Sequence, residues 1–401
     1  MKKIGIVLIC IVLLLSGCVG RTEDGNGGAR ASSAGAASAG IWLSHSEINA
    51  MLKSKKGIKE EFAAAIQNCK DAGIKDIYIH VRAFCDSLFK SDYFPLNSAA
   101  AVYDFDIFGY MTELCHNNGM RVHAWINPYR VSTSTNDINS LNPESPAYKW
   151  RNDDDAENDT NVCTTEKGIY LNPASAEVRG LIIDGIREIL SKYPVDGIHF
   201  DDYFYPVTDA GFDSASYDGY LEKSESPISQ DDWRRANVNA LISGCYTAVK
   251  FINKDIIFSI SPAASIEKNY NEYYADVSAW IENGCVDAII PQLYFGFEYP
   301  DENFRFENLL AEWKGAADKN ADVSLIIGLA PYKIGTESEK DSAEWCGSDD
   351  IIARQAEICI SDERVDGFVL FSYSSFFSSA ELNAHQRENY LKIIREEVNG
   401  Q

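Results

Sequence analysis

Two adjacent carboxylates, Asp201 and Asp202, sit in the run VDGIHFDDYFYP at 195–206. Strand side chains alternate, so Ile198 and Phe200 facing one side send Gly197, His199 and Asp201 to the other. Asp202 and Tyr203 then stand where the strand gives way to loop. Like charges at neighbouring positions repel. Held together at a strand end, they are the equipment of an acid–base pair, one carboxyl keeping a proton beside another that stays ionised. The aromatic residues that follow offer faces against which a sugar ring can pack. Other strand ends carry polar groups of the same kind: Arg82 and Asp86; His123, Trp125, Asn127, Tyr129 and Arg130; Gln292 and Tyr294; and Tyr373. His80, His123 and His199 fall at matching inward positions. Three imidazoles can ligate a metal, or they can form a hydrogen-bonded core. The core is the expectation here, with no metal and no cofactor.

These groups need a frame that brings strand ends together. From residue 41 one pattern repeats: a short apolar run, a loop, then a stretch of amphipathic helical period. The runs are 41–44, 76–82, 121–126, 197–201, 256–261, 288–293, 324–329 and 367–372. Helices are expected near 57–72, 104–118, 175–192, 231–253, 272–283, 303–319, 348–360 and 382–398. The runs are apolar nearly throughout, as strands covered on both faces must be. Eight such units predict an α/β chain folded as a single (β/α)8 TIM barrel over 41–398. An open doubly wound sheet is disfavoured, since no glycine-rich phosphate loop follows the first run. Loops after the third and fourth strands are long, and loops at strand C-termini are where such barrels build their sites.

Composition narrows the partners. The 401 residues carry a formal net charge of −24, which repels phosphate backbones, so nucleic acid is not an expected partner. Residues 1–18 have a basic start, a short apolar stretch and the ending Leu15-Ser16-Gly17-Cys18. That pattern resembles a lipoprotein signal with Cys18 as the acylated residue. The Gly/Ala/Ser-rich segment 19–40 reads as a tether. An exported protein anchored to a membrane through lipid is expected. The cysteines beyond Cys18 form no CxxC motif, and buried free thiols are expected.

Longer stretches resemble the glycosyl hydrolase-like 10 family of bacterial envelope proteins. They are GMRVHAWINPYR at 119–130, YLNPASAEVRGLI at 170–182 and VDGIHFDDYFYP at 195–206. GIWLS, HVRAFCDSLFKS, PQLYF and GFVLFSYSS are shorter pieces. The chain departs from the family pattern at Cys85 and Ala39. The resemblance implies a barrel related to glycoside hydrolases and a glycan substrate, with peptidoglycan strands stripped of peptides as one case. Asp201, Asp202 and Asp86 are then the candidate catalytic carboxylates. Arg82, His123, Trp125, Asn127, Tyr129, Arg130, His199, Tyr203, Gln292, Tyr294 and Tyr373 are the candidate sugar-binding groups. Two other readings stay open: a carbohydrate-binding lipoprotein without catalysis, and a metal-dependent hydrolase using His80, His123 and His199.

Overall fold

Segments buried on both faces alternate with segments buried along one stripe, and the first kind pair into a closed ring. The computed structural model describes residues 38–337, 341 and 343–400. The signal segment, Cys18 and residues 19–37 of the expected tether lie outside the described residues. Barrel strands are β1 (Ser38–Leu43), β2 (Asp76–Arg82), β3 (Arg121–Ile126), then, after β4 (Arg130–Ser132), β5 (Val162–Thr165) and β6 (Gly168–Leu171), β7 (Gly197–Phe200), β8 (Ile257–Ile260), β9 (Ala288–Ile289), β10 (Ser324–Leu329) and β11 (Val365–Leu370). The closed order is β1-β11-β10-β9-β8-β7-β3-β2, and every pairing in it is parallel. The expected (β/α)8 barrel is the fold. Parallel pairing gathers all eight C-terminal ends at one mouth and leaves Ser38 at the opposite end.

Alternation fills the two sides of the wall. Ile77, Ile79, Val122, Ala124 and Ile198 pack outward with the helices. Trp42, Tyr78, Trp125, Ile290 and Val369 pack inward on each other. The base is closed by Asp76, which accepts hydrogen bonds from Ser38, from Arg121 (2.7 Å) and from His123 Nε2 (2.8 Å). Burial alone would raise this carboxyl, but the His123 and Arg121 contacts hold it well below the usual range. Gly197 is where it is because any Cβ would stand 2.2 Å from His123 Nδ1.

Two differences from the expected boundaries shape the barrel wall. Residues 38–40 belong to the barrel, not the tether, since Ser38, Ala39 and Gly40 pair with Gly367, Phe368 and Val369. Their small side chains suit the wall: a Cβ at Gly40 would meet Tyr78 at 3.1 Å. The sixth barrel strand, β9, spans two residues rather than 288–293, because Pro291 has no N–H to give to a ladder. Gln292 still bridges Ala263 and Gly328. The long loop after β3 carries an antiparallel sheet of order β4-β6-β5. The loop after β7 is tied down at Asp213. There the buried Arg234 guanidinium donates at 2.6 Å and also reaches Thr208 O, Asp209 O and the Tyr274 hydroxyl.

Candidate active site

The barrel mouth opens into a cleft of about 480 Å³. Its walls come from the ends of β1, β2, β3, β7 and β11 and from the segments after β8, β9 and β10. Trp42, Trp125, Tyr294, Tyr332 and Phe371 make an aromatic lining. Tyr294 and Phe371 stack at 5.7 Å, and Tyr332 stands edge-on to both. Flat faces of this kind suit the C–H face of a pyranose ring.

The carboxylate pair lies in this cleft. Asp201 is buried and receives Trp125 Nε1–H on one oxygen and Asn127 Nδ2–H on the other, both at 3.0 Å. Asp202 is partly exposed to the cleft and bonded by Gln292. Burial raises both carboxyls, and the Asp201 charge pushes Asp202 further, up to about 7. Two fixed N–H donors favour the ionised form, so the charge of the pair settles on Asp201 and the proton on Asp202. Arg130 stands by, its guanidinium 4.0 Å above the Tyr203 ring, and its charge lowers both carboxyls.

Of the residues singled out from sequence, His80, Trp125, Arg130, His199, Asp201, Asp202, Tyr203, Gln292 and Tyr294 line the cleft. The others do not. Regular alternation from His80 would send Arg82 inward, but the β2–β3 register shifts between His80 and Arg82. Its guanidinium instead lies over Phe94 at 4.4 Å, against Gly185 of the outer helix Ala176–Lys192. Asp86 faces a separate small cavity, bonded by Asn97 at 2.8 Å. His123 is buried in the base, stacked on Tyr78 at 4.4 Å. Asn127 is buried behind Asp201 and also accepts the Arg130 N–H at 2.8 Å. Tyr129 is buried in the outer core, because the chain turns at Pro128 and alternation ends there. Tyr373 lies in a neighbouring groove, its hydroxyl accepting from Asn68 at 2.9 Å.

The three histidines are held apart. Tyr78 stands between His123 and His199, with centroids at 4.4 and 4.8 Å. His199 is committed at both nitrogens. Nε2 accepts from Trp42 at 3.0 Å, which leaves Nδ1–H for Ser259 at 2.9 Å. Among the described residues no group of three His, Cys, Asp or Glu side chains is arranged to hold a metal ion.

Sequence reasoning missed the part of the cleft built where the ends of β1 and β11 meet, with Trp42, Ser44, His45, Glu47 and Phe371 among its residues, and it missed Tyr332 beyond β10. Glu47 closes a capping box on Ser44 at the start of the helix His45–Lys53. Its other oxygen takes Ser372 Oγ at 2.7 Å and Ser374 N at 2.5 Å, which fixes the β11 end beside β1. The signal for it is the box Ser44-x-x-Glu47 directly after a strand.

Residues 38–347 match the family described as glycosyl hydrolase-like 10. The chain belongs to this family. Glycosyl hydrolase YngK of Bacillus subtilis (strain 168) is 30% identical over 363 residues, covering 83% of this chain and 67% of the relative. Glycosyl hydrolase DigH of Escherichia coli (strain K12) is 31% identical over 288 residues. That match covers 67% of this chain and 63% of DigH, so the chain spans less than two thirds of that relative. Among solved structures, the PgaB (BpsB) glycoside hydrolase domain from Bordetella bronchiseptica superposes with a TM-score of 0.59 at 14% identity. It covers 89% of this chain and 99% of that one. Alpha-L-fucosidase isoenzyme 2 from Paenibacillus thiaminolyticus gives 0.56 at 12% identity, over 90% of this chain and 49% of the other. At these identities the likeness is one of fold. The expected class of glycoside hydrolase stands with the family membership.

Proposed function

We propose that this glycosyl hydrolase-like barrel cleaves O-glycosidic bonds of an N-acetylated bacterial envelope glycan, with peptide-free peptidoglycan strands as the substrate class. One observation carries the reading: two adjacent carboxyls in an aromatic cleft, one bonded as an anion and the other holding a proton near neutrality. Asp202 is the general acid. It gives its proton to the leaving oxygen as the C1–O bond breaks. Asp201, fixed by Trp125 and Asn127, is adjacent in sequence and shares the cleft with it. That arrangement suits substrate assistance: Asp201 orients the acetamido group, whose oxygen supports C1. Water then adds at C1 and returns a proton to Asp202. Arg130 supplies a guanidinium for a sugar-borne carboxylate such as a lactyl group.

The same reading has the chain exported and held to the cell membrane by acylated Cys18. Release of reducing ends from purified peptide-free strands by the unaltered protein, absent in Asp202→Asn, is the test of the activity. Strands that bind without being cut would make the protein a carbohydrate-binding lipoprotein instead. For the anchor, Cys18→Ser should abolish labelling by a radioactive fatty acid and release the protein from membranes. Undiminished labelling would remove Cys18 from the proposal.

A further inference from the structure

His80 is 4% exposed, yet neither of its ring nitrogens has a hydrogen-bond partner. Buried polar atoms are almost always paired, and His199, another histidine of the cleft, uses both of its own nitrogens. The His80 ring lies face to face with Trp125, centroids 3.6 Å apart and planes at 12°. It also stands edge-on to His45 at 5.4 Å. Trp125 in turn donates to Asp201. On one side His80 borders the cleft. On the other it borders a cavity of about 30 Å³ that Asp86 and Asn97 also line. A polar cavity of that size holds one water, enough to serve one nitrogen. The second nitrogen has only the cleft from which to find a partner.

We propose that His80 is a substrate-binding residue: it exchanges a hydrogen bond with a hydroxyl or amide group of the sugar lying beside Trp125 and Asp201, and so selects sugars that carry such a group there. This rests on the reading of the cleft as a glycan site. Burial, followed by the neighbouring charges of His45 and Arg130, holds the imidazole well below its ordinary pKa. The ring is therefore neutral, with one donor and one acceptor to offer. Its role is distinct from the metal and core roles that its place on β2 suggests in the sequence.

The test compares the unaltered protein with His80→Phe and His80→Gln on soluble peptide-free glycan strands. Phe keeps a ring against Trp125 and removes both nitrogens. Gln restores a donor and an acceptor without the ring. His80→Phe should raise KM about tenfold, the worth of one hydrogen bond, with kcat within about twofold. Its thermal midpoint should not fall, since no unmet polar atom is left behind. His80→Gln should recover part of the lost binding. The same order should appear when strands are titrated onto each variant in an Asp202→Asn background, which needs no turnover. Unchanged KM and affinity in His80→Phe overturn the proposal and leave the glycosidase reading standing. A lowered thermal midpoint, with no recovery of binding in His80→Gln, marks a structural histidine and overturns it too. Strands that the unaltered protein neither binds nor cuts overturn both readings.

Discussion

Asp202→Asn should separate the chemistry of the cleft from its stability. Burial, followed by the Asp201 charge, moves this carboxyl from the ordinary 3.8 up to about 7. At about 1.4 kcal/mol per tenfold, keeping it ionised in the folded chain costs up to about 4 kcal/mol. The folded state holds the proton more tightly than the unfolded chain, which has released it by about pH 5. The native protein therefore loses stability as pH rises from about 4 to about 7 and carries the full cost above that. Asparagine is neutral at every pH and keeps a partner for Gln292. The variant should match the parent near pH 3.5 and exceed it by up to about 4 kcal/mol above pH 7, read by urea unfolding across a pH series. Glycan cleavage should meanwhile drop by roughly 10²–10⁴. In the parent, kcat/KM should fall as pH rises through about 7, because the acid must carry its proton. A stability difference that stays flat with pH refutes the account of a proton-holding Asp202. Unchanged cleavage removes the residue from the chemistry.

Asp201→Asn should lose cleavage on a similar scale, roughly 10²–10⁴, but gain no stability, because its amide must present an N–H to the Trp125 or the Asn127 donor; unfolding curves and reducing-end assays read both. Arg130→Ala removes a charge that lowers both carboxyls, so the alkaline limb of the pH–rate profile should move to higher pH. Binding of carboxylate-bearing strands should weaken more than that of neutral ones. Arg234→Met leaves Asp213 buried without its partner and should cost about 3–5 kcal/mol in chemical denaturation.

The barrel was legible because its strands are covered on both sides. The runs at 76–82, 121–126 and 324–329 have the bounds of β2, β3 and β10, since an apolar run between polar turns has few places to begin or end. The carboxylate pair was legible for the opposite reason, as two charges where folding alone would place none. What failed was alternation past a strand's last regular residue. Arg82 lies beyond a register shift and Tyr129 beyond a proline turn, and at both the rule of two no longer says which way a side chain points. Trp42, Phe371 and the serines near Glu47 were missed because they are uncharged. Their meeting depends on β1 lying beside β11, a contact between residues more than 300 positions apart. The hairpin β5–β6 hid inside a loop whose polar composition masks two four-residue strands.

The direction in which β1 runs has a consequence for a leashed enzyme. The chain enters the barrel at Ser38, at the end away from the cleft. A lipid at Cys18 would thus hold the barrel by its floor and turn the mouth outward, toward the wall rather than the bilayer. Residues 19–37 lie between the anchor and the floor, and covalent geometry limits those nineteen residues to about 65 Å. An enzyme held in that way would work within a bounded height above its own membrane. It would meet strands that pass overhead, while glycan lying flat on the lipid surface would stay behind its back.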